Sequence, residues 1–338
     1  MKHIEFAQIG FLHPILSGLE SSGVNLTPLV RRAGIEAFDL QDPECYIPFH
    51  LYEGLLEQIH HRHGIPDLAS EFQEKLHISS CAEWGEMLAR RSSMLSVCQK
   101  AVKFPNVVFT NQRMRIETHG KISKFEQWFA NPGTSGRRHV VDIDNALTLN
   151  TFKNIIGDDW EPIEVHIQSD TAFDITQFFP NAKRTRVRTG MPTSAVILDT
   201  HLLAQNGHGS EDLASVTEQD FSPPRSVADK VEILLRHTLP GVVPSIREVA
   251  LMLNTSERSL RRALAEEACT FAELVDNWRR EEALKKIHEG RFQIDEIADF
   301  LGYLNPPAFF RAFKRWTNFS PNRYRDLDPD FQIQAMAS

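Results

Sequence analysis

Residues Ile294–Trp316 read IDEIADFLGYLNPPAFFRAFKRW, and FSPNRYR follows at Phe319–Arg325. Ile294, Ile297, Ala298 and Leu301 recur at helical spacing and share one inward face. Gly302 sits where that helix must stop, because glycine enters the left-handed cap conformation without penalty. Asn305 has the side chain of an N-cap, and Pro306 falls at the first helical position, where no N–H is needed. The next helix buries Phe309 and Phe313 and turns Arg311, Lys314 and Arg315 outward. A helix, a tight turn and a helix with a basic outer face is the helix-turn-helix design.

The pattern occurs twice. Ser245–Glu267 reads SIREVALMLNTSERSLRRALAEE. Ser245 and Glu248 have capping-box spacing, and Ile246, Val249, Ala250 and Leu253 make the inward face. A turn through Asn254 and Thr255 leads to Ser256 as the next N-cap. Leu260 and Leu264 then match Phe309 and Phe313, while Arg258, Arg261 and Arg262 point away. Leu253 to Leu301 is an offset of 48 and Leu260 to Phe309 an offset of 49, so the second turn is one residue longer. Between the units, Thr270–Glu289 opens on a capping box of Thr270 and Glu273 and closes at Gly290. A helix of about 19 residues is about 28 Å long. It would set two recognition helices in successive major grooves, about 34 Å apart.

These two units resemble the double helix-turn-helix DNA-binding domain of the AraC/XylS family of bacterial transcription regulators. The run IDEIADFLGY, FFRAFKRW and SPNRYR carries the likeness, which covers about the last third of the chain. It implies a double-stranded DNA partner, a homodimer, and RNA polymerase as a partner if the protein activates. By that likeness Arg258 and Arg261 meet base edges from the first recognition helix, where arginine pairs bidentately with guanine O6/N7, while Arg262 meets a base, grips phosphate or holds Glu266 four residues on. In the second helix Pro306 and Pro307 fill early positions where polar side chains often read bases. That leaves Arg311 as reader, with Lys314 and Arg315 on phosphate, and a unit expected to add affinity more than sequence choice.

Bulk properties agree with a two-domain regulator. The chain has 338 residues, 41% hydrophobic and 24% charged, ordinary for a globular protein. No apolar run reaches the roughly 18 residues of a membrane span, and MKHIEFAQIGF lacks the features of a signal peptide. Cys45, Cys81, Cys98 and Cys269 show no paired spacing, which favours reduced thiols and a cytoplasmic protein. The net charge of −8 divides unevenly: residues 223–327 hold 17 Lys/Arg and 15 Asp/Glu, about +2, and the remainder holds 20 and 30, about −10.

Residues 1–201 read as an α+β domain. Helical patterns run through Phe11, Ile15 and Leu19, then from Pro48 through Leu55, Leu56 and Ile59 to Gly64. Others pass through Leu68, Phe72 and Leu76, and over 82–91 and 94–103. Short strands are expected at Val107 and Phe109, at Met114 and Ile116, over 122–129, at Ile163, Val165 and Ile167, and over 194–198. A helix is expected over 140–156 and a short one over 171–179. The region resembles the arabinose-binding-like sensor domain of some AraC-type regulators, which implies a small-molecule effector; its binding residues are not assigned. An interaction platform without a pocket is the alternative. Residues 202–225, polar and ending in Pro223-Pro224, read as a linker. Residues 226–327 form the all-α DNA-binding domain, in which the long helix joins the two helix-turn-helix units, and 328–338 a tail.

Nothing in the chain calls for a cofactor, a metal or catalysis. His60, His61 and His63 crowd a helix end but cannot converge on one ion from a regular helix, and cationic histidines suit that end. Gly133–Gly136 lacks the lysine of a phosphate loop, and Ser194 and Asp199 lack a nucleophile elbow.

Overall fold

The computed structural model describes residues 4–80, 82–89, 93–131, 133–170, 173–205 and 224–327. The chain separates into two compact units, one drawn mainly from residues before Pro223 and the other from Pro224 onward.

The amino-terminal unit is α+β. In order its elements are β1 (Phe6–Gln8), α1 (His13–Ser21), α2 (Thr27–Ala33), β2 (Tyr46–Pro48), α3 (Phe49–His63), α4 (Leu68–Glu71), α5 (Ala82–Ala89), α6 (Met94–Lys103), β3 (Gln112–His119), β4 (Ile122–Phe129), α7 (Arg137–Ile156), β5 (Glu164–His166), β6 (Arg186–Arg188) and β7 (Ser194–Asp199). β1 and β2 pair antiparallel. The main sheet has the order β3-β4-β7-β5-β6, antiparallel except for the β5–β6 pair. The β3–β4 hairpin turns at Gly120, whose φ of +63° suits a residue without a Cβ. Its register sets Ile116 opposite Phe125, and Phe125 opposite Val196 of β7.

Sequence periodicity located α3, α6, β4 and β7 well. It failed where burial is two-sided or local turns intervene. Leu68–Leu76 is not one helix: α4 spans four residues and a 3-10 turn follows at Gln73–Lys75. Val107–Phe109 is not a strand; Phe109 makes only a single bridge to Ala7. Within 173–179 only a 3-10 turn, Ile175–Gln177, forms. Helix α7 starts three residues before Val140, at Arg137. The start of the expected linker is folded, with a 3-10 turn at Thr200–Ala204 and Leu203 buried. Residues 206–223 and the 328–338 tail lie outside the described residues.

Helix α7 is buried on several faces, so its polar residues need partners. Asp144 accepts from Gln112 Nε2 at 2.7 Å, Asp142 from Ser169 Oγ at 2.7 Å, and Asn145 from Gln127 Nε2 at 3.4 Å. Burial pushes the Asp144 carboxyl up to about 7, against the hydrogen bond from Gln112. The folded chain therefore holds this proton where the unfolded chain has released it. Stability from this group is full below about pH 4 and is lost as pH rises toward 7. Asp144→Asn is expected to match the parent near pH 4 and to exceed it increasingly up to pH 7, at a slope of at most about 1.4 kcal/mol per pH unit. Urea unfolding at several pH values checks this; a pH-independent difference would contradict it.

The carboxyl-terminal unit is all-α: α8 (Val227–Arg236), α9 (Ile246–Met252), α10 (Glu257–Glu266), α11 (Phe271–Glu289), α12 (Ile294–Phe300), α13 (Pro306–Thr317) and α14 (Pro321–Arg325). No helix among the described residues is long and apolar enough to cross a membrane.

Candidate nucleic-acid interface

The two helix-turn-helix units, α9–α10 and α12–α13, are built by the same local devices. Ser245 caps α9 through a capping box with Glu248, and Ser256 caps α10 by accepting from the Ser259 N–H. Gln293 and Glu296 make the box of α12, and Asn305 Oδ1 accepts the Ala308 N–H at 3.0 Å to open α13. In the first turn Asn254 takes the left-handed conformation, φ +45°; in the second Gly302 does, φ +69°. The turns then match bond for bond. Thr255 N–H donates to Ala250 O at 2.8 Å, and Tyr303 N–H to Ala298 O at 3.0 Å. Gly302 has a second reason to be glycine, since a Cβ there would lie 2.8 Å from Val243 Cγ2.

Eleven of the twelve expected core residues are buried: Val249, Ala250, Leu253, Leu260, Leu264, Ile294, Ile297, Ala298, Leu301, Phe309 and Phe313. Ile246 is the exception. As the first residue of α9 it sits at the rim of its core and stays half-buried. Phe309, Phe313 and Tyr324 form a chain of ring contacts, 5.6 Å and 5.5 Å between centroids, that ties α14 to α13.

All six expected DNA-facing cations are exposed, but they are not equally free. Arg261 pairs with Glu257 at 2.8 Å and Arg262 with Glu266 at 3.8 Å, each along its own helix. Arg315 is held by Asp276 of α11, whose other oxygen accepts from Trp316 Nε1 at 2.9 Å. Arg258, Arg311 and Lys314 make no ion pair among the described residues. An exposed i,i+4 pair is worth only about 0.3–0.5 kcal/mol, so Arg261 and Arg262 can be drawn off by a stronger acceptor.

Helix α11 has 19 residues and is fastened to the second unit by polar and cation–π contacts. Arg279 Nε donates to Leu301 O at 3.0 Å and its guanidinium lies 4.4 Å from the Tyr303 ring. The Lys286 ammonium lies 3.6 Å from the Phe300 ring, where burial holds its pKa below the usual lysine range. On the other side Glu267 accepts the Val227 and Ala228 N–H groups at 2.8 and 2.9 Å, satisfying orphan donors of α8. Sequence reading missed these staples because they join residues far apart in sequence. It also passed over Leu304, whose side chain is 100% exposed. Thr255 pairs with Tyr303 and Ser256 with Asn305, so Leu304 is the extra residue of the longer turn. The change of offset was the available signal. Upstream, the described residues contain no cluster able to hold a metal, His60, His61 and His63 included.

Comparison with known proteins agrees with this geometry. Residues 249–326 match the model of a helix-turn-helix domain, and residues 23–206 match that of the arabinose-binding domain of AraC transcription regulator. The HTH-type transcriptional regulator VqsM of Pseudomonas aeruginosa is 36% identical over 232 residues, covering 64% of this chain and 67% of that protein. The ornithine utilization regulator of the same organism is 37% identical over 87 residues, 26% of each chain. The crystal structure of the transcriptional regulator CdpR from Pseudomonas aeruginosa aligns over 94% of this chain and 98% of its own, with TM-score 0.41 and 19% identity. With a matched amino-terminal domain spanning more than half its length, and a helix-turn-helix domain behind it, the chain belongs to the AraC family of transcription regulators.

Proposed function

We propose that this protein regulates transcription by binding a specific operator with both helix-turn-helix units, as a cytoplasmic homodimer whose amino-terminal domain responds to a small-molecule effector. The parts are a sensor and dimerisation domain from residue 1 through the folded Thr200–Ala204 turn and the DNA-binding domain over 226–327, with the linker between them. Activation, by contact with RNA polymerase, is the sign the family likeness favours. The observation that carries the DNA reading is the exposed, unpaired Arg258 in the first turn of α10, directly behind the Ser256 cap. Arg261 lies less than one turn further on. Arg311, and Lys314 and Arg315 behind it, give α13 its basic face.

A cleft of about 510 Å³ in the amino-terminal unit, lined by Phe129, Arg137, Arg138, Gln168 and Asp170, supports the effector reading. Among the described residues of that unit only Leu95, Ile122 and Ile163 are large apolar side chains left exposed, too few for the broad apolar surface a platform needs.

Binding to a selected operator and to scrambled DNA across a salt series tests the interface. Arg258→Ala and Arg261→Ala should each cost about 1–3 kcal/mol on the operator and relax preference at one base pair. Lys314→Ala should weaken all sequences alike and lower the salt slope by about one. If Arg258→Ala and Arg261→Ala both leave the ratio of specific to scrambled binding intact, α10 is not the reader.

A further inference from the structure

The second recognition helix presents an apolar tip. Pro306 and Pro307 bring neither an N–H nor a polar side chain, and Asn305 Oδ1 is committed to the Ala308 N–H at 3.0 Å. Leu304, just before that cap, is 100% exposed, and Pro307 is exposed as well. A lone exposed leucine elsewhere on a surface would need no explanation. Here it is the one residue by which the second turn exceeds the first, set at the end of the helix that a helix-turn-helix directs at base edges. Arg311 lies one turn behind Pro307 on the exposed side of the same helix.

The major groove offers one apolar group, the C5 methyl of thymine. We propose that Leu304, with Pro307, reads thymine through that methyl group, so that the second unit selects A·T pairs by apolar contact while Arg311 grips the strand beside it. This rests on the DNA-binding reading above and gives the second unit a part in sequence choice. With no donor or acceptor at this tip, polar contacts cannot decide the base there, and the choice falls to the methyl group that thymine carries and a G·C pair lacks.

The test uses the full chain and a duplex selected from random sequence, with each thymidine replaced in turn by deoxyuridine. That exchange deletes a methyl group and keeps every hydrogen-bonding group. At one or two positions, confined to one end of the site, affinity should fall about fourfold, the worth of one buried methyl at about 0.8 kcal/mol. Leu304→Ala should lower affinity for the thymidine site by a similar factor and remove the sensitivity to deoxyuridine at those positions. Arg311→Ala should weaken binding and keep that sensitivity. The proposal is overturned if no thymidine at either end responds, or if Leu304→Ala responds as the parent does. Because Leu304 is fully exposed, its loss leaves the fold intact. Failure of any sequence to enrich would overturn the DNA-binding reading, and this assignment with it; enrichment without methyl sensitivity overturns this assignment alone.

Discussion

Phe313→Ala should destabilise the carboxyl-terminal unit by about 3–5 kcal/mol. Phe313 is fully buried, and its ring meets those of Phe309, Trp316 and Tyr324 at 5.6, 6.2 and 5.5 Å. Alanine removes the common partner of three aromatic contacts drawn from α13 and α14, and the backbone of a capped helix cannot collapse into the space. At about 1–2 kcal/mol per molar urea, the unfolding midpoint of this unit should move down by about 2 M or more. Leu304→Ala in the same assay should leave it in place. A cost below about 1 kcal/mol would mean that Tyr324 and Trp316 refill the site.

Glu53→Ala should cost the amino-terminal unit a similar amount, about 3–5 kcal/mol, because it strands a buried charge. Glu53 is 2% exposed; it accepts the Thr134 N–H at 3.0 Å, the Thr134 hydroxyl at 2.9 Å and Arg137 Nε. Arg137 is packed 4.4 Å from the Phe49 ring and 4.8 Å from that of Phe129, so it cannot swing out to water without breaking that cluster. The pair Glu53→Leu with Arg137→Met should recover part of the loss, since removing both charges also removes the cost of burying them. Urea unfolding of the single and the double variant measures it. A single-variant cost under about 1 kcal/mol would place this ion pair with ordinary surface pairs.

The two halves were unequally legible. In the carboxyl-terminal unit each cap residue sits within a few positions of the groups it satisfies, so Ser245, Ser256, Thr270 and Asn305 could be read locally. Ile246 shows the limit of that reading: periodicity places it on the right face but cannot tell rim from centre. In the amino-terminal unit the decisive pairings are long-range. The stretch Gly133–Gly136 reads as a turn, yet Gly136 is there because a Cβ would lie 2.1 Å from the Glu53 carbonyl oxygen. Likewise α7 hides its start behind two arginines, and its Asp142 and Asp144 break the apolar pattern because their partners lie on the sheet and the loop beyond it. Exposed cations could be named from spacing alone; which of them are tethered depends on Glu257, Glu266 and Asp276, and Asp276 alone of these lies far in sequence from its partner.

The outer strands of the five-stranded sheet carry a consequence for how the chain behaves in a crowded cell. Strand β3 exposes Arg113, Arg115, Thr118 and His119 along its length, and β6 at the other side is three residues long and reads Arg-Val-Arg. Bare strand edges invite pairing with edges of other molecules, and short, charged ones resist it. A second copy approaching either flank would have to desolvate exposed arginines, among them the ion-paired Arg115 and Arg188. The same charges guard a newly made chain against stacking into aggregates, a protection that Arg115→Val and Arg186→Val together would remove without touching either recognition helix.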